Sequence, residues 1–136
     1  MKTHKVAIVT GGSGGIGRCT AMALAKAGCR VYEFSRHEKG GTEGVLHISA
    51  DMTDEASVQA AVTEVERREG RVDILVNNAG VCEYAPLEEH TTEQWNKVIA
   101  TDLSSVFLMT REVAPLFREQ GYGRVINIAS VGAIQA

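Results

Sequence analysis

The chain has 136 residues, a formal net charge of −3 and 44% hydrophobic residues, a composition typical of one globular domain with a modest core. The slight negative charge excludes a generally basic, nucleic-acid-binding surface, and no apolar stretch is long enough to predict a membrane span. The apolar run after the basic N-terminus is too short for a signal peptide. Three cysteines without metal-ligand spacing, Cys19, Cys29 and Cys82, favour a reduced, cytoplasmic protein.

The first part of the chain alternates short apolar runs with a helical pattern. The β-branched run 5–10 predicts a strand buried on both faces, and residues 15–27 predict a helix that Gly28 ends. Two further strands are predicted at 30–34 and Val45–Ser49. The roughly ten residues between these strands are too few for a crossover helix, so we expect a loop or a single turn there.

The next segment has the pattern of an amphipathic helix. Thr53 is placed to cap it, and Asp54 and Glu55 favour its positive end. The i, i+3, i+4, i+7 spacing predicts one buried face, formed by Val58, Ala61, Val62 and Val65. Gly70 is expected to end the helix.

Alternation of strand and helix continues to the end of the sequence. A fourth strand is predicted at 73–76 and a fifth at 125–128. Between them, Thr91 and Gln94 form a capping-box pattern for a long helix, which Pro115 is expected to bend. Buried strands that alternate with helices indicate a single α/β domain over residues 1–136, with a parallel sheet covered on both faces.

Glycine is concentrated where the first strand meets the first helix. In the stretch TGGSGGIG, which follows the first strand, five of eight residues are glycine. Such a turn directs backbone N–H groups and the positive helix end toward one point, which suits a pyrophosphate. A flexible linker is the competing interpretation. Two motif registers fit, G-x-G-x-x-G through Gly12, Gly14 and Gly17, and T-G-x-x-x-G-x-G through Thr10, Gly11, Gly15 and Gly17.

Motifs further along the chain favour the second register. D-M-T-D at 51–54 follows the third strand, N-N-A-G at 77–80 follows the fourth, and G-R-V-I-N-I-A-S at 123–130 forms the fifth strand and its exit. Together with the glycine turn, these motifs resemble the short-chain dehydrogenase/reductase family over nearly the whole chain. The resemblance implies a Rossmann-type doubly wound parallel sheet with strand order 3-2-1-4-5, truncated after strand five.

The resemblance also implies a nicotinamide dinucleotide site. The first turn would wrap the pyrophosphate, Asp51 would accept a hydrogen bond from the adenine amino group, and the N-N-A-G turn would lie beside the adenosine ribose. Each motif could instead serve structure alone, since asparagine and glycine are common turn residues. The implied cofactor-binding residues are Gly11, Ser13, Gly14, Gly15, Ile16, Gly17, Ser35, Arg36, Asp51, Met52, Asn78, Ala79 and Gly80.

The end of the second strand discriminates between the two nicotinamide cofactors in the family. That position is Ser35, followed by Arg36. Serine does not repel a 2′-phosphate, and a guanidinium can bind it with two hydrogen bonds, which favours NADP. NAD remains the alternative, because Gly14 lacks the basic side chain that NADP-using relatives often carry there. Glu33 would also become a ribose acceptor if the register slipped by two residues.

The family's hydride transfer is assisted by a serine, a tyrosine and a lysine, with an asparagine that orders a water relay. Ser130 stands at the serine position, whereas Asp102 stands at the asparagine position, where an ionised carboxylate cannot donate a hydrogen bond. The sequence contains no Tyr-x-x-x-Lys pair. We therefore expect an NAD(P)-dependent oxidoreductase of carbonyl or alcohol substrates, inactive as this chain. The alternative is a non-catalytic dinucleotide-binding or assembly module. An uncovered fifth strand predicts a homo-oligomer.

Overall fold

Five parallel strands form one sheet in the order β3-β2-β1-β4-β5 in the computed structural model, which describes residues 4–37 and 42–135. This confirms the predicted order and the Rossmann-type fold. The direction of winding reverses beside β1, and a crevice forms at the carboxyl ends of the strands at such a switch point. The strands are β1 (Val6–Thr10), β2 (Arg30–Ser35), β3 (Val45–Ser49), β4 (Ile74–Asn77) and β5 (Arg124–Asn127).

Each strand differs from its predicted bounds by no more than one residue at either end. The connection from β2 to β3, predicted as a loop or a single turn, lies partly outside the described residues. Within them, the chain turns at residues 42–44 and enters β3 through a hydrogen bond from the Val45 N–H to the Thr42 carbonyl oxygen.

The helices are α1 (Gly15–Lys26), α2 (Glu55–Glu69), α3 (Thr92–Val98) and α4 (Ser105–Gln120). The long helix predicted from the capping box is divided by a six-residue π-helical segment, Ile99–Ser104, between α3 and α4. The Ser105 hydroxyl donates to the Thr101 carbonyl at 2.5 Å, beside this irregularity. The helix continues through Pro115 to its end at Gln120, so the departure from α-helical geometry precedes the proline by more than two turns.

The start of α2 corrects one sequence prediction. Asp54, and not Thr53, is the N-cap, because its carboxylate accepts a hydrogen bond from the Ser57 N–H at 3.0 Å. Thr53 instead donates both its N–H and its hydroxyl to Asp51 Oδ1, at 2.9 and 2.6 Å. The Thr53 hydroxyl is bonded to Asp51 and therefore does not cap α2, which leaves Asp54 to accept from the Ser57 N–H. The predicted capping box of Thr91 and Gln94 is confirmed.

The two faces of the sheet are covered by different helices. One face packs against α2 and α4, where the predicted α2 residues Val58, Ala61, Val62 and Val65 are all buried. The other face packs against α1, through Ala21 and Leu24. At the edge of the sheet, all four residues of β5 are exposed. Within the described ranges, no helix is both long and apolar enough to cross a membrane.

Candidate functional site

The glycine turn between β1 and α1 is built by close contacts at two of its glycines. A Cβ on Gly17 would lie 2.3 Å from the Gly11 oxygen and 2.3 Å from Asn78 Nδ2. A Cβ on Gly12 would lie 2.5 Å from the Cβ of Glu33. Gly11 also has a φ of +63°, in the left-handed region. These glycines allow the turn, β2 and the N-N-A-G segment to approach one another.

The outer part of the same turn is open. A Cβ on Gly14 or on Gly15 would meet no heavy atom of the described residues within 4 Å. Ser13, Gly14, Gly15 and Ile16 are all exposed. Gly14 is the N-cap of α1 and has no side chain to accept from the first-turn N–H groups. In the described structure this helix end has open space and no side-chain cap, and the first-turn N–H groups of a helix can bind an anionic group such as a pyrophosphate.

The N-N-A-G segment is held against the glycine turn by hydrogen bonds from its two central residues. The buried hydroxyl oxygen of Thr10 accepts from the Asn78 and Ala79 N–H groups, each at 3.0 Å. Asn78 Nδ2 donates in turn to the carbonyl oxygens of Thr10 and Gly11, at 3.1 and 3.2 Å. The Asn78 side chain therefore braces the turn. Thr10 belongs to the predicted glycine motif, but the motif did not show that its hydroxyl positions the N-N-A-G segment.

A cleft of about 200 Å³ opens at the carboxyl ends of β1, β2, β3 and β4. It brings together seven of the predicted cofactor residues, namely Gly11, Ser35, Arg36, Asp51, Met52, Ala79 and Gly80. Six residues that were not among the predicted cofactor residues also line it, namely Phe34, His37, Ala50, Thr53, Val81 and Thr101. Most of these six residues lie next to motif residues in the chain, so the motifs could have indicated them as candidates. The motifs do not show that these residues line the cleft.

Asp51 presents a carboxylate to this cleft. Hydrogen bonds from the hydroxyl and N–H of Thr53, with a smaller contribution from the Arg36 charge, hold the pKa of the Asp51 carboxyl below its ordinary value. In the described part of the chain these bonds engage Oδ1 only. Oδ2 is available as an acceptor, which is what an exocyclic amino group requires.

Three side chains at the end of β2 are candidates for the ribose position, and they differ in their access to the cleft. Ser35 and Arg36 line the cleft. Glu33 is buried, with 1% of its surface exposed, and its Oε1 contacts His47 Nδ1 and, at 3.4 Å, the Ser35 hydroxyl. A carboxylate in this position faces the protein interior and not the open cleft.

The two predicted catalytic positions lie outside the cleft lining. Ser130 is exposed after β5, and its hydroxyl oxygen accepts from the Gly132 N–H at 3.1 Å. Asp102 lies in the π-helical segment, and its Oδ1 accepts from the Val81 N–H at 2.8 Å. The carboxylate at the family's asparagine position thus holds the segment that follows N-N-A-G.

Comparison with known proteins agrees with this geometry. The family model for short chain dehydrogenases matches residues 5–136. The chain belongs to the short-chain dehydrogenase/reductase family. Members of this family are oxidoreductases that bind nicotinamide dinucleotides.

Several members of the short-chain dehydrogenase/reductase family are similar to most of this chain. D-threitol dehydrogenase of Mycolicibacterium smegmatis is 40% identical, over 97% of this chain and 55% of its own length. The 3-oxoacyl-[acyl-carrier-protein] reductase of Escherichia coli is 37% identical, over 93% of this chain and 55% of its own. The structure of Thermoplasma acidophilum aldohexose dehydrogenase superposes with a TM-score of 0.91 at 32% identity, covering 96% of this chain and 51% of that one. The chain therefore spans about half the length of these relatives.

Proposed function

We propose that this chain is the cofactor-binding part of a short-chain oxidoreductase and that it binds NADP in preference to NAD. The observation that carries the proposal is the junction of an open glycine turn with a cleft lined by Ser35, Arg36 and Asp51. One end of this continuous surface suits a pyrophosphate, and the other end carries a cation and an acceptor. The bound dinucleotide would donate a hydride to a carbonyl substrate when reduced, or accept one from an alcohol when oxidised.

Each part of the cofactor has a proposed set of partners. The pyrophosphate would lie against the turn formed by Ser13, Gly14, Gly15 and Ile16. The adenine amino group would donate to Asp51 beside Met52, and the adenosine ribose would lie against Ala79 and Gly80. The 2′-phosphate would be bound by Ser35 and Arg36, because Arg36 offers a fork of donors and Ser35 adds no negative charge.

The burial of Glu33 supports NADP over NAD. A ribose acceptor must reach the cofactor, and Glu33 has 1% of its surface exposed, with Oε1 in contact with His47. Its carboxylate is therefore poorly placed to accept hydrogen bonds from the two hydroxyls of the adenosine ribose of NAD. Arg36, which lines the cleft, has no comparable obstruction.

Cofactor binding is tested by Gly15→Val. Gly15 has a φ of +53° and open space around its Cβ position, so the new side chain would occupy the space proposed for the pyrophosphate and abolish NADPH binding. Gly70→Val is the matched control, because Gly70 has a φ of +67°, equally open surroundings and a place at the far end of α2. NADPH fluorescence titration of the parent and both variants measures the effect. Equal affinities in all three proteins, or no binding by the parent, would contradict the proposal.

We also propose a carbonyl or alcohol substrate and a cytoplasmic setting, with the three cysteines free as thiols. The 136 residues alone are expected to show no NADPH oxidation with ketones or aldehydes, because the sequence offers Ser130 but no Tyr-x-x-x-Lys pair as proton donor. General acid–base catalysis typically contributes about 10²–10⁴-fold to the rate. The reaction is followed by the absorbance of the reduced nicotinamide at roughly 340 nm. Turnover that disappears in Ser130→Ala would reveal a proton donor other than the family's pair.

A further inference from the structure

Glu33 and His47 form a buried polar pair beneath the end of β2. The two residues are register partners on neighbouring strands, Glu33 on β2 and His47 on β3. The Glu33 side chain is 1% exposed and that of His47 is 11% exposed. Glu33 Oε2 has no hydrogen-bond partner among the described residues. A buried carboxylate with an unpaired oxygen is costly, so its presence at this point calls for a physical reason.

The contacts of this pair extend to both neighbours of Arg36. Glu33 Oε1 accepts from the Ser35 hydroxyl at 3.4 Å. His47 Nε2 lies 2.6 Å from the carbonyl oxygen of His37. The residue before Arg36 and the residue after it are therefore both attached to the same buried pair, whereas Arg36 itself faces the cleft.

The contacts of the His47 ring indicate which of its nitrogens donates a hydrogen bond. A carbonyl oxygen can only accept, so Nε2 must carry a proton to bond to His37. The contact between Nδ1 and Glu33 Oε1 then requires one further proton, held either by the ring or by the carboxyl. In both cases the ring is bound to Glu33 Oε1 through Nδ1 and to the backbone after Arg36 through Nε2.

We propose that Glu33 and His47 act as a positioning pair that holds Arg36 at the 2′-phosphate position and thereby sets the preference for NADP over NAD. The inference rests on the proposed dinucleotide binding. Neither residue touches the cofactor in this assignment. His47 fixes the backbone after Arg36 and Glu33 orients His47, so loss of the His47 imidazole releases the guanidinium from its position.

The test compares the affinities of NADPH and NADH in His47→Phe, which keeps an aromatic ring but removes both nitrogens. We expect the NADPH dissociation constant to rise about tenfold more than that of NADH, equivalent to about 1.4 kcal/mol. Glu33→Gln is the conservative variant. Its amide can donate to Nδ1 of a neutral imidazole that keeps the Nε2 proton, so the parent's preference should be retained. Ser49→Ala, two residues further along β3, is the matched control.

The outcomes separate the inference from the proposed function. If His47→Phe weakened NADPH binding and NADH binding equally, the role of His47 would be purely structural, and the inference alone would be overturned. The inference would also be overturned if Glu33→Gln lost the preference for NADPH as completely as His47→Phe. Failure of the parent chain to bind either dinucleotide would overturn the proposed function and the inference with it. Thermal unfolding of every variant is measured in parallel, and His47→Leu replaces His47→Phe if the larger side chain prevents folding.

Discussion

Arg36 is the one permanently positive side chain among the described residues that line the cleft, and Asp51 is the one acidic side chain there. The Arg36 charge contributes to the lowered pKa of the Asp51 carboxyl, after the two hydrogen bonds from Thr53. The described lining of the cleft therefore offers one cationic donor, Arg36, and one anionic acceptor, Asp51. An adenosine with a 2′-phosphate has a group complementary to each, because its phosphate can accept from Arg36 and its adenine amino group can donate to Asp51.

Arg36→Ala is expected to weaken NADP binding by about 1.5–3 kcal/mol, the usual size of a hydrogen bond to a charged group. NAD binding should be nearly unchanged, since NAD has no 2′-phosphate. Isothermal titration with both oxidised dinucleotides measures the difference.

Gly14→Arg provides the reverse change for the same prediction. Gly14 has an extended backbone, with φ −158°, and nothing near its Cβ position, so arginine can be added there without strain and should tighten NADP binding. A parent chain that binds NAD more tightly than NADP would contradict both expectations and direct attention back to Glu33.

At the scale of the element, the turn between β1 and α1 contains glycines with two different functions. Gly17 lies in the first turn of α1 and allows close packing, whereas Gly14 faces open space. The amino-acid sequence alone does not distinguish these two kinds of glycine. They differ in what the rest of the fold brings near them, and for Gly17 this is the N-N-A-G segment.

Gly17→Ser and Gly14→Ser place the same side chain at these two positions and should have opposite outcomes. Helix propensity favours serine over glycine by about 0.5 kcal/mol, but the clash of a Cβ with the Gly11 oxygen and Asn78 Nδ2 should cost about 1–3 kcal/mol. Gly17→Ser is therefore expected to be destabilised. Gly14→Ser should be neutral or stabilised, because serine is a favourable N-cap. Urea unfolding compares them, and equal stability would show that the turn relaxes freely.

The sequence predicted regular elements well because each depends on local signals. The β-branched run of β1 and the periodic face of α2 both appear in the chain as patterns of neighbours. The N-cap of α2 was assigned to Thr53 because sequence does not show that Asp51 takes its hydroxyl. The π-helical segment was missed for a similar reason, since no local residue type distinguishes Ile99–Ser104 from ordinary helix.

For the candidate site, motif positions were predictable and side-chain directions were not. Ser35 and Arg36 were selected by their place at the end of β2, and both line the cleft. Glu33 remained an alternative because a strand buried on both faces has no polar–apolar alternation that would tell which way a residue points. Its contact with His47 depends on the register between β2 and β3, which is a property of the assembled sheet.

At the scale of the whole molecule, the sheet is unequally protected. β1 is buried throughout, whereas every residue of β5 is exposed at the sheet edge. Large apolar side chains are exposed on and after β5, namely Val125, Ile126, Ile128, Val131 and Ile134. An edge strand with free backbone donors and acceptors beside apolar surface is a template for association with another strand.

This surface leads to the expectation that the chain associates with copies of itself through β5. Ile126→Lys places a charge on the edge strand, which natural proteins use to prevent edge-to-edge pairing, so it should shift the chain toward monomer. Leu87→Lys is the matched control, because Leu87 is 88% exposed and lies in a short helical turn outside the sheet. Size-exclusion chromatography with light scattering, across a wide range of protein concentrations, gives the mass of each variant. A parent chain that stays monomeric at the highest concentration would refute the expectation, and equal dissociation of both lysine variants would assign the effect to net charge and not to β5.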